Sequence, residues 1–150
     1  MNTNLIFLLI ALLAGAAAAV QSGVNSQLRS QLANPVVAAL ISFAVGTLLL
    51  LLYVMAFNRG NLPAISSFRE LHWWKWTGGL LGAFYVTAVI LAAPRLGAAT
   101  TTGLIVAGQL ITAIVLDHFG LVGFSVQQVS IWRLLGAVLL IAGVVLIMKK

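Results

Sequence analysis

The side chains able to do chemistry deep inside the apolar runs of this sequence are uncharged. They are amides, hydroxyls and a phenol, which donate and accept hydrogen bonds but hold no fixed charge at neutral pH. Polar groups are costly in lipid, so each is expected to face protein or a water-filled cavity. We predict that five of them converge on one site that binds a small molecule: Gln21, Asn25, Tyr85, Thr102 and Gln109.

Two of these side chains lie in the stretch from Gly97 to Gly123. Its first part has no ionisable side chain for roughly twenty residues, enough to cross a bilayer core of about 30 Å. Thr102 and Gln109 are nearly eclipsed on a helix, so one face of this helix is polar. Gln109 either belongs to the site or bonds a neighbouring backbone and only fixes helix register. The apolar run ends at Asp117. This residue acts in a site if a cavity reaches it, but we favour a role in capping or bridging a helix end, since ionisable groups at helix ends commonly serve structure.

The other three lie on the first and third apolar helices. One stripe of the first helix combines small residues with two amides: Ala14, Ala17, Ala18, Gln21 and Asn25. Small residues allow close helix approach and amides bond across helices, so the two amides either hold helices together or bind a ligand. Tyr85 lies near the middle of the third helix, where a phenol is expected to point inward to a partner.

The composition identifies an integral membrane protein. Apolar residues make up 62% of the chain and charged residues 7%, against roughly 45–50% and 25% in soluble domains. The net charge of +6 comes from basic residues at the ends of apolar runs, which indicates headgroup anchors rather than a nucleic-acid surface. With no cysteine, two histidines and two acids, we expect no metal site, no cofactor and no enzyme activity.

Five apolar segments predict five transmembrane helices in a single membrane domain, at about residues 5–28, 35–57, 76–93, 97–116 and 129–148. A cleaved signal peptide at the amino terminus is the alternative for the first, but that region lacks Lys or Arg and further spans follow. Asn34-Pro35 predicts a helix start, and Ala93 to Leu96 a tight link. Trp73, Trp74 and Trp76 predict a membrane–water interface.

The basic residues are balanced between the two sides of the membrane. The amino-terminal side holds Arg59, Arg69, Lys75 and Arg133, and the other side holds Arg29, Arg95, Lys149 and Lys150. Orientation is normally set by an excess of Lys and Arg in cytoplasmic loops, so we expect the chain to insert both ways up.

The sequence resembles the YdcZ family of the drug/metabolite transporter superfamily. The resemblance rests on Gln21 with Asn25, on Asn34-Pro35 with Ser42-Phe43 and Gly46, on Trp73-Trp74 with Gly78-Gly79 and Gly82-Ala83, and above all on PRLGAATTTGLIVAGQLITAIVLDHFGLVG from Pro94 to Gly123. It implies a five-helix half-transporter that works as an antiparallel pair, made either from one dual-topology chain or from two different, oppositely oriented chains. The larger EamA-type members of the superfamily fuse two such halves.

We therefore expect an all-α, multi-pass protein of the inner or plasma membrane. Its expected partners are the lipid bilayer, a second copy in the opposite orientation and a small-molecule substrate, with no nucleic acid. A substrate site near the membrane midplane and alternating access would move a small neutral or amphipathic molecule. The alternatives are a small accessory or assembly subunit without transport of its own and, as the weakest, a membrane enzyme.

Overall fold

The computed structural model describes residues 3–58 and 62–149. It contains α1 (Thr3–Leu32), α2 (Pro35–Phe57), the short α3 (Ile65–Arg69), α4 (Thr77–Leu96), α5 (Ala98–Phe119) and α6 (Ile131–Met148). Within the described residues no β-strand is present. Two turns of 3₁₀ helix, Trp73–Trp76 and Leu121–Gly123, precede α4 and follow α5.

Within the described part of the chain, five helices are long and apolar enough to cross a membrane, which confirms the predicted number of spans. Their leucines and phenylalanines are largely exposed; Leu12 is 71% exposed and Phe84 is 73% exposed. Exposed apolar side chains are favourable when lipid tails surround the helices, and a helix in lipid satisfies its backbone hydrogen bonds internally. Trp73, Trp76 and Trp132 are also exposed, as expected for indole rings at headgroup level.

The chain forms two compact units, one ending at Pro94 and one beginning at Arg95. The first unit has a small buried core of Ala38 and Ala39 from α2 and Val86 and Ile90 from α4. In the second unit, α5 packs on α6 through Ala107, Ile114, Ala137 and Val144. The arrangement of all five spans as a single membrane domain stays a prediction.

Capping explains where α2 begins. The Asn34 side chain accepts hydrogen bonds from the N–H groups of Val36 (2.9 Å) and Val37 (3.2 Å), and Pro35 takes the first helical position. This confirms the predicted helix start. Before it, α1 continues through the polar residues after position 28 to Leu32, because the end of an apolar run does not end a helix. Ala33 then turns the chain with a φ of 52°.

The predicted link from Ala93 to Leu96 is wrong, because α4 runs through Pro94 to Leu96. Proline removes one N–H donor and one backbone hydrogen bond, and that loss is tolerated this close to the helix end. The turn into α5 is made instead at Gly97, whose φ of 83° suits glycine. Helix α5 then extends past position 116 to Phe119 and ends at the left-handed Gly120.

Two basic residues counted in the topology prediction, Arg59 and Lys150, lie outside the described residues.

Candidate functional site

Three of the five predicted site residues line one recess in the first unit. Gln21 and Asn25 of α1 face it from one side and Tyr85 of α4 from the other. The remaining lining residues are Ala18, Ser22, Val86 and Val89. The recess is shallow and partly open, and its cavity volume of about 10 Å³ admits about one water molecule, whereas ligand pockets typically measure about 300–1,000 Å³. A single copy therefore supplies at most one wall of a binding site.

The polar groups of this recess are available to a ligand. Asn25 is only 5% exposed, Tyr85 is half-buried and Gln21 is exposed. Among the hydrogen bonds of residues 3–58 and 62–149, none involves the side chains of these three residues. Their polar atoms also keep some access from outside, since the fully buried side-chain atoms without a partner in the described residues belong to Thr101 and Arg133. A ligand or a water can therefore reach and bond these amides and the phenol.

Apolar packing next to the recess holds Tyr85 in place. Tyr85 and Leu28 pack against the core of Ala38, Ala39, Val86 and Ile90. The two alanines leave room for the α4 side chains to approach α2. One turn earlier on α4, Gly82 lies beside the Phe43 ring, which is 3.5 Å from the position a β-carbon would take. Apolar side chains packed between α2 and α4 thus hold the α4 wall of the recess in position.

A hydrogen bond joins α1 to α4 next to the recess. The Nη1 atom of Arg29 donates to the main-chain oxygen of Ile90 over 3.2 Å. In a regular helix this carbonyl accepts from residue 94, but residue 94 is proline and has no N–H. Arg29 thus bonds the acceptor that Pro94 leaves free.

The other two predicted site residues, Thr102 and Gln109, lie on α5 in the second unit. Thr102 is half-buried, and Gln109 is exposed about halfway along the helix. The neighbouring Thr101 is more deeply buried, at 3% exposed, and its Oγ1 atom has no hydrogen-bond partner in the part of the chain described. Convergence of all five residues on one cavity stays a prediction.

Sequence reasoning missed two residues at or beside the recess. Ser22 lines it and is 8% exposed. Its position, three residues before Asn25 and four after Ala18, is the helical spacing that could have revealed it. Arg29 was counted only as a topology charge, although it follows Asn25 by four residues on the same stripe.

Asp117 bridges two helices, as predicted. Its Oδ2 atom lies 3.1 Å from Nη2 of Arg133, a residue in the first turn of α6. The same guanidinium also donates to the side chain of Gln127. The adjacent His118 accepts the N–H of Val129 at Nδ1 over 3.3 Å. These contacts join the end of α5 to the start of α6, which indicates a structural role.

Comparison with known proteins adds two findings. Residues 6–146 match a family model described as "Putative inner membrane exporter, YdcZ". The protein named "Inner membrane protein YdcZ" of Escherichia coli (strain K12) is 32% identical over 114 residues, which cover 76% of this chain and 75% of that protein. No solved structure matches the chain.

Proposed function

The chain belongs to the YdcZ family, and we propose that it is one half of a transporter that moves a small neutral or amphipathic organic molecule. The family match and the five membrane-spanning helices support a multi-pass protein of the inner membrane with a general role in transport. The substrate, the pairing of two copies and the cycle are the finer parts of the proposal.

The observation that carries the proposal is the recess between α1 and α4. Two amides and a phenol, contributed by helices far apart in sequence, line it together with small and apolar side chains. Such a surface binds the polar end of a molecule by hydrogen bonds and its hydrocarbon part by contact with Val86 and Val89. Polar side chains inside membrane spans mark substrate paths or hold helices together. Free hydrogen-bonding groups in the recess favour the first role.

A second copy in the opposite orientation would complete the site. Gln109 is exposed about halfway along α5, and an uncovered amide at that depth is unfavourable in lipid. The recess is also smaller than a typical ligand pocket. An antiparallel pair with a two-fold axis in the membrane plane places equivalent residues of both copies around one cavity. Rocking of the two halves against each other then gives alternating access.

Helix α6 offers a surface for this pairing. Gly136 and Gly143 are seven residues apart, and in the described part of the chain no atom beyond their own helical turns lies within 4 Å of where a β-carbon would be. Small residues with free space above them allow another helix to approach closely. Replacing both with leucine should reduce the dimer fraction in detergent and in lipid. An unchanged dimer fraction would exclude this part of α6 from the contact.

The proposal is tested by ligand binding and then by transport. A library of small organic molecules is screened for compounds that raise the melting temperature of the purified protein, since a ligand of the native state stabilises it. The best compound is then followed by saturable uptake into liposomes. Tyr85→Phe should abolish both effects without changing dimer yield or the baseline melting temperature.

The matched control is Tyr53→Phe, which removes the hydroxyl of a tyrosine that is 58% exposed on α2 and whose ring contacts that of Phe57 at a tilt of 41°. This variant should bind and transport like the wild type. If purified protein binds compounds but moves none of them into liposomes, the chain is an accessory subunit. If Tyr85→Phe misassembles and its folded fraction still binds normally, the site lies elsewhere.

A further inference from the structure

We infer that Arg29 forms an anion subsite beside the recess, so that the molecule bound there carries a carboxylate at one end. The inference rests on the proposed function and narrows its substrate from neutral or amphipathic molecules to amphipathic acids. It starts from the polar stripe of α1, which does not stop at the amides but continues to a guanidinium.

The spacing on α1 places Arg29 on the same helix face as the recess. Gln21, Asn25 and Arg29 follow one another at intervals of four residues, so they lie above one another along one side of the helix. The hydrogen bond from Arg29 to the carbonyl of Ile90 shows that the side chain turns toward α4. Ile90 directly follows Val89, one of the recess-lining residues. The backbone of Arg29 therefore lies about one helical turn, or about 6 Å along the helix axis, beyond that of Asn25.

The guanidinium retains the capacity to bind an anion. It carries five N–H donors, and among the described residues its only hydrogen bond is the one that Nη1 donates to Ile90. In the same part of the chain, the only ion pair joins Arg133 to Asp117, so Arg29 has no carboxylate beside it there. The side chain is half-buried, and a partly desolvated guanidinium binds a carboxylate more strongly than an exposed one does.

The recess and Arg29 together describe the ligand. Its anionic end reaches Arg29, and the rest of the molecule extends along the recess past Val89 and Asn25 toward Val86 and Tyr85. In the antiparallel pair of the proposed function, the two copies of Arg29 lie near opposite faces of the membrane. Each mouth of the shared cavity then presents one guanidinium to an incoming acid.

The test compares acids with their uncharged amides in neutral detergent at low ionic strength. The probes are phenylacetate, 3-phenylpropionate and 4-phenylbutyrate, each with the corresponding primary amide, and the readout is the dissociation constant. The wild type should bind at least one acid about tenfold more tightly than its amide, the difference expected for one charge-assisted hydrogen bond. Added salt should reduce this preference.

Two variants at position 29 separate charge from structure. Arg29→Gln should bind acid and amide equally, with the affinity for the amide unchanged, whereas Arg29→Lys should keep part of the preference because it keeps the charge. Arg69→Gln, at the exposed end of α3, should behave like the wild type. If Arg29→Gln does not fold, the Arg29→Lys variant and the salt dependence of the wild type give the answer.

Several results would overturn the inference. One is that no acid of the series binds the wild type more tightly than its amide. Another is that the preference survives Arg29→Gln. A third is that only anionic lipid, supplied as phosphatidylglycerol vesicles, depends on Arg29, which would make the residue a headgroup anchor. If acids and amides bind equally and Tyr85→Phe weakens both, the inference fails while the proposed function stands. If the probes bind with the expected preference for acids but are not transported, the proposed transport function fails while the inference about Arg29 stands.

Discussion

The contact between Arg29 and Ile90 predicts an energetic coupling between Arg29 and Pro94. Replacing Arg29 with leucine removes the hydrogen bond to a carbonyl whose residue is fully buried. A hydrogen bond from a charged donor contributes about 1.5–3 kcal/mol, and a buried acceptor without a partner costs about 1–3 kcal/mol. Because Arg29 is only half-buried, we expect Arg29→Leu to lower the free energy of unfolding by about 1.5 kcal/mol, the lower end of that range.

The same substitution should cost much less in a Pro94→Ala background. Alanine at position 94 supplies an N–H that bonds the carbonyl of Ile90, as in any regular helix. The loss of Arg29 then leaves no unsatisfied acceptor, and we expect a cost of about 0.5 kcal/mol. The double-mutant cycle therefore predicts a coupling energy of about 1 kcal/mol.

The assay is unfolding in mixed micelles of dodecyl maltoside and increasing SDS, followed by circular dichroism for the four proteins of the cycle. Arg69→Leu is the control, since Arg69 is exposed outside the spanning helices, and it should change the unfolding free energy little. If Arg29→Leu lowers the free energy of unfolding equally with proline and with alanine at position 94, the predicted coupling does not exist. Arg29 would then not be the group that satisfies the freed carbonyl.

Three further predictions concern packing, backbone strain and orientation. Gly103→Ala places a β-carbon 3.0 Å from Cγ2 of Val144, so we expect the free energy of unfolding to fall by about 1–3 kcal/mol in the same assay. Adding Val144→Ala should restore most of this loss. An unchanged free energy of unfolding in Gly103→Ala would contradict the prediction and would mean that the two helices separate slightly instead. Ala33→Gly should raise the unfolding free energy by up to about 1 kcal/mol, because the φ of 52° at Ala33 is unfavourable for residues with a β-carbon; a loss of stability would contradict this. Carboxy-terminal reporters should show both orientations of the wild type in comparable amounts and a bias after two or three lysines are added to the segment from Asn58 to His72; a wild type found in one orientation would point to a different, oppositely oriented partner.

The sequence was a good guide to features set by local chemistry. The apolar runs predicted the number of spans, and Asn34-Pro35 predicted the start of α2, since both depend on residues next to one another in the chain. The ends of α1, α4 and α5 were predicted too short. Polarity marks where a helix leaves the lipid, whereas the helix itself ends where the backbone turns, at Ala33, Gly97 and Gly120.

Contacts between distant residues could not be predicted in the same way. The stripe on α1 and the position of Tyr85 suggested inward-facing groups, and the structure brings Gln21, Asn25 and Tyr85 to one recess. The bond from Arg29 to Ile90 depends on a proline four residues after the acceptor and on the packing of α1 against α4. Thr101 and Thr102 are neighbouring residues of the same type, and only the packing of the folded chain decides that Thr101 is the more deeply buried of the two.

Cysteine cross-linking tests the central claim, an antiparallel pair around a shared cavity, most directly. The chain contains no cysteine, so single cysteines at Gln109 and, as the matched control, at Ser130 report on one position each. Both side chains are exposed in a single copy, but Gln109 lies about halfway along α5, whereas Ser130 caps the start of α6. In an antiparallel pair, midplane positions of the two copies can meet, while helix ends lie on opposite faces of the membrane. A short bismaleimide added to native membranes should therefore link two copies through cysteine at position 109 and not through cysteine at position 130. Cross-linking at position 130, or at neither position, would contradict the account.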